Sequence, residues 1–115
     1  MNACTEPQIT KQASNGLNQS FHLFVPAELV FFTGHFPDFP ILPGVVQIDW
    51  AINLADKTQL TGAFSGIMRL KFIHPITGDR TIRLDLAYAS NGQQMEFKYY
   101  ETAGLFSSGT LLFEG

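Results

Sequence analysis

The chain is poor in several things, and each shortage removes a class of explanation. Cys4 is the single cysteine among 115 residues, so no intrachain disulfide can form. That fits a reducing compartment. Seven Lys and Arg stand against ten Asp and Glu, a formal charge of -3, and no basic run appears. A nucleic-acid partner is therefore not indicated. Long apolar runs are also missing. The most apolar stretch, 41–55, is short and is broken by Gln47, Asp49 and Asn53, so it will not span a bilayer. The opening residues Met1 to Pro7 lack the basic and apolar regions of a secretory leader. Three scattered histidines and one cysteine show no ligand spacing, so no metal site is expected. No phosphate-cradling glycine loop, Gly-x-Ser-x-Gly or Cys/His nucleophile pattern is present. Repeats, low-complexity tracts and linkers are absent too. The expectation is one soluble cytoplasmic domain over residues 1–115.

Aromatic residues are plentiful. Eleven Phe, three Tyr and one Trp supply apolar area for a core, with some left over for a partner subunit. Asn15-Gly16 signals a tight hairpin between strands near 9–14 and 17–25. In the second of these, Phe21, Leu23 and Val25 alternate with Ser20, His22 and Phe24, the pattern of a half-buried strand. Beyond Gly62 the period is two again, over 67–73 and 80–89. Asn91-Gly92 is a second hairpin signal, and strands over 95–101 and 105–113 complete a meander. Between the two groups lies a helix predicted from Pro43 or Gly44 to about Leu60. It is apolar around most of its circumference, which suits enclosure by other structure. The class is α+β, an antiparallel sheet packed on one long helix.

The segment before that helix, 31–44, holds three prolines and two glycines among bulky apolar residues. It cannot be a helix interior or a central strand. It reads as a rigid, partly buried loop. His35 sits in it between Gly34 and Phe36-Pro37, and its imidazole can act as a general base. A packed histidine bonded to backbone is the plainer reading. His22 and His74 have no chemical context. Asp49 lies in the apolar helix, where burial would raise its pKa and suit it to general-acid work. Alternatively Asp49, Asn53 and Asp56 or Lys57 form an ordinary polar stripe facing water. At Pro43-Gly44, the first helical N–H groups lack internal partners and suit an oxygen that gains negative charge. A plain loop-to-helix junction is the commoner case.

Together, Gly34-His35-Phe36-Pro37-x-x-Pro40-x-x-Pro43-Gly44 and Asp49 resemble the signature of the bacterial 3-hydroxyacyl-acyl-carrier-protein dehydratases, the FabA and FabZ enzymes. Weaker similarity continues through 69–72 and Pro75-x-x-x-Asp79. The resemblance implies a hot-dog fold, in which an antiparallel sheet wraps one long central helix. It implies a homodimer or higher assembly with shared active sites, the histidine from one subunit and the acid from the other. Carried over, His35 removes the C2 proton of a (3R)-3-hydroxyacyl thioester. Asp49 helps the C3 hydroxyl leave, and the Gly44 N–H binds the thioester carbonyl. Phe36, Val45 and Asn53 would contact the substrate, whose acyl chain would lie in a tunnel beside the helix. No cofactor is implied. Acyl carrier protein is the implied partner, and Arg69 and Lys71, with Arg80 and Arg83, could meet its acidic surface. A solvated strand face is the plain alternative for these cations.

Two positions depart from the commoner FabZ pattern. Asp49 stands where Glu is usual, as in the FabA type, and Asn53 stands where Gln is usual. The 41–51 run is more similar to the ApeI-like dehydratases of aryl-polyene-type lipid clusters. Two other readings compete: a hot-dog thioesterase, and a non-catalytic subunit that binds acyl chains or carrier protein.

Overall fold

The computed structural model of the chain describes residues 5–29 and 41–115. His35 and Phe36 lie outside the described residues. Strands β1 (Gln8–Asn15) and β2 (Asn18–Val25) precede helix α1 (Gly44–Leu54), and β3 (Ala63–Phe72), β4 (Arg80–Tyr88), β5 (Gln94–Glu101) and β6 (Gly104–Glu114) follow it. The six strands form one sheet in the order β1-β2-β4-β5-β6-β3, and every pairing is antiparallel. From β3 at the far edge the chain crosses back to lay β4 beside β2, and the meander β4-β5-β6 then runs outward until β6 pairs with β3.

The first hairpin turns one residue later than expected. Asn15 pairs with Asn18, leaving Gly16-Leu17 as the loop. Gly16 takes φ +60 while Leu17 does not have a positive φ, the arrangement of a turn that wants glycine first. Alternation holds well in the central strands. Leu84, Leu86, Met95 and Phe97 are buried, while their neighbours Arg83, Asp85, Glu96 and Lys98 reach the other face or solvent.

α1 buries Val46, Gln47, Trp50 and Ala51 against that sheet. It is less enclosed than its composition suggests, because one sheet covers only one side of a helix. Val45, Asp49 and Asn53, four residues apart, form an exposed stripe. The helix is also shorter than expected. Ala55 is extended, and 56–60 pass through a 3-10 turn, Lys57–Gln59. Lys57 bonds back to the carbonyls of Ile52 and Ala55, satisfying the helix end.

β3 departs most from a plain alternating strand. Its register with β6 shifts between Met68 and Lys71, and Arg69 at this bulge takes φ 56. β3 is an edge strand, and Phe64, Ile67, Leu70 and Phe72 on it stay substantially exposed.

Candidate active site

A single cross-strand row builds the floor of the site. Phe21, Leu84, Tyr99, Ser107 and Phe72 are successive partners across β2, β4, β5, β6 and β3. Residues paired across antiparallel strands share a face. The row therefore presents Tyr99, Ser107 and Phe72 side by side toward the first turn of α1.

Phe72 takes the position nearest Gly44. A Cβ on Gly44 would lie 2.5 Å from Phe72 Cζ. The absence of a side chain at 44 makes room for this ring. Beside the contact opens a cleft of about 320 Å³, lined by Leu42, Gly44, Gln47, Phe72, Ile73 and His74 among others. Its walls are largely apolar, and Gly44, the first residue of α1, lies on its wall.

Gln47 ties the floor to the helix. Its Oε1 accepts from Ser107 Oγ at 2.6 Å, and its Nε2 donates to the Leu42 carbonyl at 3.2 Å. Its own backbone carbonyl accepts from the Tyr99 hydroxyl at 2.6 Å. Gln47, Ser107 and Tyr99 are almost wholly buried. Burial pushes the Tyr99 phenol well above its ordinary range, so it stays a neutral donor. Each such bond contributes about 0.5–1.5 kcal/mol net, and orphaning a buried partner costs about 1–3 kcal/mol.

The sequence-derived residues are only partly brought together. Gly44 borders the cleft. Val45, 73% exposed, and Asp49 and Asn53 lie on the outward stripe of α1. Within one chain Asp49 and Asn53 therefore face outward beside Val45, while Asp56 and Lys57 lie beyond the helix end. Arg69 and Lys71 are exposed and line a different feature, a groove of about 530 Å³ that also includes Lys98, Asp85 and Glu96. Cleft and groove share no lining residue. Among the described residues, no group of three or more His, Cys, Asp or Glu could hold a metal ion.

Two cleft residues escaped the sequence reading. Gln47 counted only as a break in an apolar run, although a buried amide needs partners. His74 had no context, but it follows β3 and is held before Pro75, with its N–H donated to the Phe106 carbonyl at 3.2 Å. A histidine at the stiff end of a strand, next to the helix start in space, is a signal only the fold reveals.

The chain shares this architecture with proteins already solved. It matches a chain of the dehydratase heterocomplex ApeI:P from Xenorhabdus doucetiae with TM-score 0.82 and 29% identity, covering 93% of this chain and 96% of that one. An uncharacterized protein from Erwinia carotovora subsp. atroseptica matches with TM-score 0.77 and 31% identity, covering 92% and 94%. Among curated proteins, the 3-hydroxyacyl-[acyl-carrier-protein] dehydratase FabZ of Clostridium perfringens is 36% identical over 64 residues, 49% of this chain and 46% of its own length. The FabZ of Koribacter versatilis is 31% identical over 65 residues, 49% and 42%. The chain thus spans less than half the length of these curated relatives.

One helix carried across an antiparallel sheet, with its N-terminus opening on a cleft, places the molecule in the hot-dog class. Within that class the family model for ApeI-like proteins, described as ApeI dehydratase, matches residues 10–110. The chain belongs to the ApeI-like family.

Proposed function

We propose that the chain is one dehydratase domain that converts a (3R)-3-hydroxyacyl thioester on acyl carrier protein to the trans-2-enoyl thioester. The setting is fatty-acid or aryl-polyene-type lipid synthesis in the cytoplasm. The observation that carries this reading is the α1 N-terminus at Gly44, opening onto an apolar cleft in a dehydratase-family fold. His35 takes the C2 proton, and the electron pair moves onto the thioester carbonyl, where the Gly44 N–H steadies it. The pair then returns to form the C2–C3 double bond as the C3–O bond breaks. Asp49 supplies the proton with which the hydroxyl leaves as water. Phe36, Val45 and Asn53 contact the substrate. The thioester itself acidifies C2, so no cofactor is called for.

A second copy completes the site. Val45 at 73% exposure, Phe72 at 50% and Ile73 at 49% are poorly suited to water, and Asp49 shares the outward face with Val45. Covering that face would enclose Asp49 and shield it from bulk water. The Xenorhabdus doucetiae neighbour is a heterocomplex, which favours a second reading in which the covering subunit is a different chain. Arg69, Lys71 and Lys98 give the groove cations for an acidic carrier, partly offset by Asp85 and Glu96.

The test uses purified chain and a (3R)-3-hydroxyacyl carrier protein followed by mass, beside His35→Ala and Asp49→Asn. Loss of one water with the wild type alone is expected. Free acid with released thiol would show a thioesterase instead. Turnover only after a second hot-dog chain is added would favour the heterocomplex. Intact substrate in every combination would sink the dehydratase reading.

A further inference from the structure

The buried cluster of Gln47, Ser107 and Tyr99 takes no part in the chemistry just described, yet it touches the backbone that leads into Gly44. The Leu42 carbonyl accepts from Gln47 Nε2 at 3.2 Å, and the Leu42 N–H donates to the Ile76 carbonyl at 2.8 Å. The first bond holds the carbonyl of the Leu42–Pro43 peptide, and the second holds the N–H of the Ile41–Leu42 peptide just before it. The proline ring then locks the next dihedral, and Pro43 has φ -59. Only Pro43 ψ, here 146, remains to decide where the Gly44 N–H points. The Pro43 carbonyl is itself held by the N–H groups of Val46 at 3.1 Å and Gln47 at 3.3 Å. Gln47 therefore grips the approach to Gly44 twice, by side chain at Leu42 and by backbone at Pro43. Ser107 orients the carboxamide so that its Nε2 faces Leu42, and Tyr99 anchors the Gln47 backbone to β5.

We infer that Gln47 is a positioning residue, held by Ser107 and Tyr99, which aims the Gly44 N–H into the cleft. Its catalytic consequence rests on the dehydratase reading; its structural consequence does not. An apolar residue of similar volume would fill the space equally well. The amide is there for its two-sided bonding, since it alone both accepts from β6 and donates to the loop.

The experiment compares full-length wild type, Gln47→Met, Ser107→Ala and Tyr99→Phe in two measurements. The first is backbone NMR of the Gly44 amide. A rigid amide has an order parameter of about 0.85, and in Gln47→Met it should fall below about 0.6 while β4 and β5 amides stay unchanged. The second is steady-state kinetics, where kcat should fall at least about tenfold with KM within about twofold, as expected for lost orientation. Ser107→Ala and Tyr99→Phe should each give a smaller effect of the same kind. Should Gln47→Met fail to fold, these two single-bond variants decide the matter. A Gly44 amide unmoved in shift and order, or a kcat loss that only follows global loosening of the sheet, overturns the inference. If the wild type turns over no thioester, the dehydratase reading fails and the Gly44 amide alone judges the positioning role.

Discussion

Gly44 and Phe72 form a contact whose energetics can be separated by substitution. Gly44→Ala puts a methyl group 2.5 Å from the Phe72 ring, and the ring must swing. Phe72 is half-exposed and free on one side. The penalty should sit near the low end of overpacking, about 1 kcal/mol. In a Phe72→Ala background the same change should be neutral or mildly stabilising, because alanine is the better helix former. Urea unfolding of the four proteins measures this, and equal penalties in both backgrounds would mean that the ring is not the obstacle. The Gly44–Phe72 contact was not legible in the sequence: Phe72 is 28 positions away and reads as one more strand aromatic. His35 and Asp49 were legible as candidates through the spacing of their motif. Gln47 was not, because its partners Ser107 and Tyr99 come from strands whose register no local pattern states.

The end of α1 shows how a few polar residues overrule an apolar run at the scale of an element. The helix was expected to continue to about Leu60 but stops at Leu54. Asp56 accepts from the Thr58 hydroxyl at 2.6 Å and from its N–H at 3.0 Å, starting a 3-10 turn instead. Those two bonds hold the Asp56 carboxyl below its ordinary range. Being lowered in the folded state, the group adds stability above the ordinary carboxylate pKa, and that share is lost as pH falls through the lowered value. Asp56→Asn keeps an acceptor for Thr58 without the titration. Its stability should therefore fall less steeply on acidification than that of the wild type, as followed by urea midpoints from neutrality down to about pH 3. Identical slopes would remove Asp56 from the acid response. The hairpins and central strands were legible because alternation and Asn-Gly pairs are local. The β3 bulge was not, since Arg69 at φ 56 carries no glycine or asparagine to announce it.

At the scale of the whole molecule, all three tyrosines resist ionisation. Burial is the leading cause for Tyr88, Tyr99 and Tyr100, and for Tyr100 a hydrogen bond to Asp85 adds to it. Folded phenols that titrate late favour the folded state less and less once pH passes the ordinary phenol value, and stability declines from there upward. Phenolate absorbance of the native protein should lag behind that of the chain in urea and then rise together with unfolding. Tyr99→Phe should soften that final rise, and a native titration that overlays the unfolded one would refute the account. The two borders of the sheet differ in apolar exposure. β1 is exposed along its whole length and, Ile9 and Ala13 apart, polar, whereas β3 displays Phe64, Ile67, Leu70 and Phe72. A border that is apolar on one side only would give a molecule that associates through it a valence of one. Two copies that satisfied it against each other would turn outward two β1 borders that are polar but for Ile9 and Ala13, so such a union would terminate rather than grow into a filament.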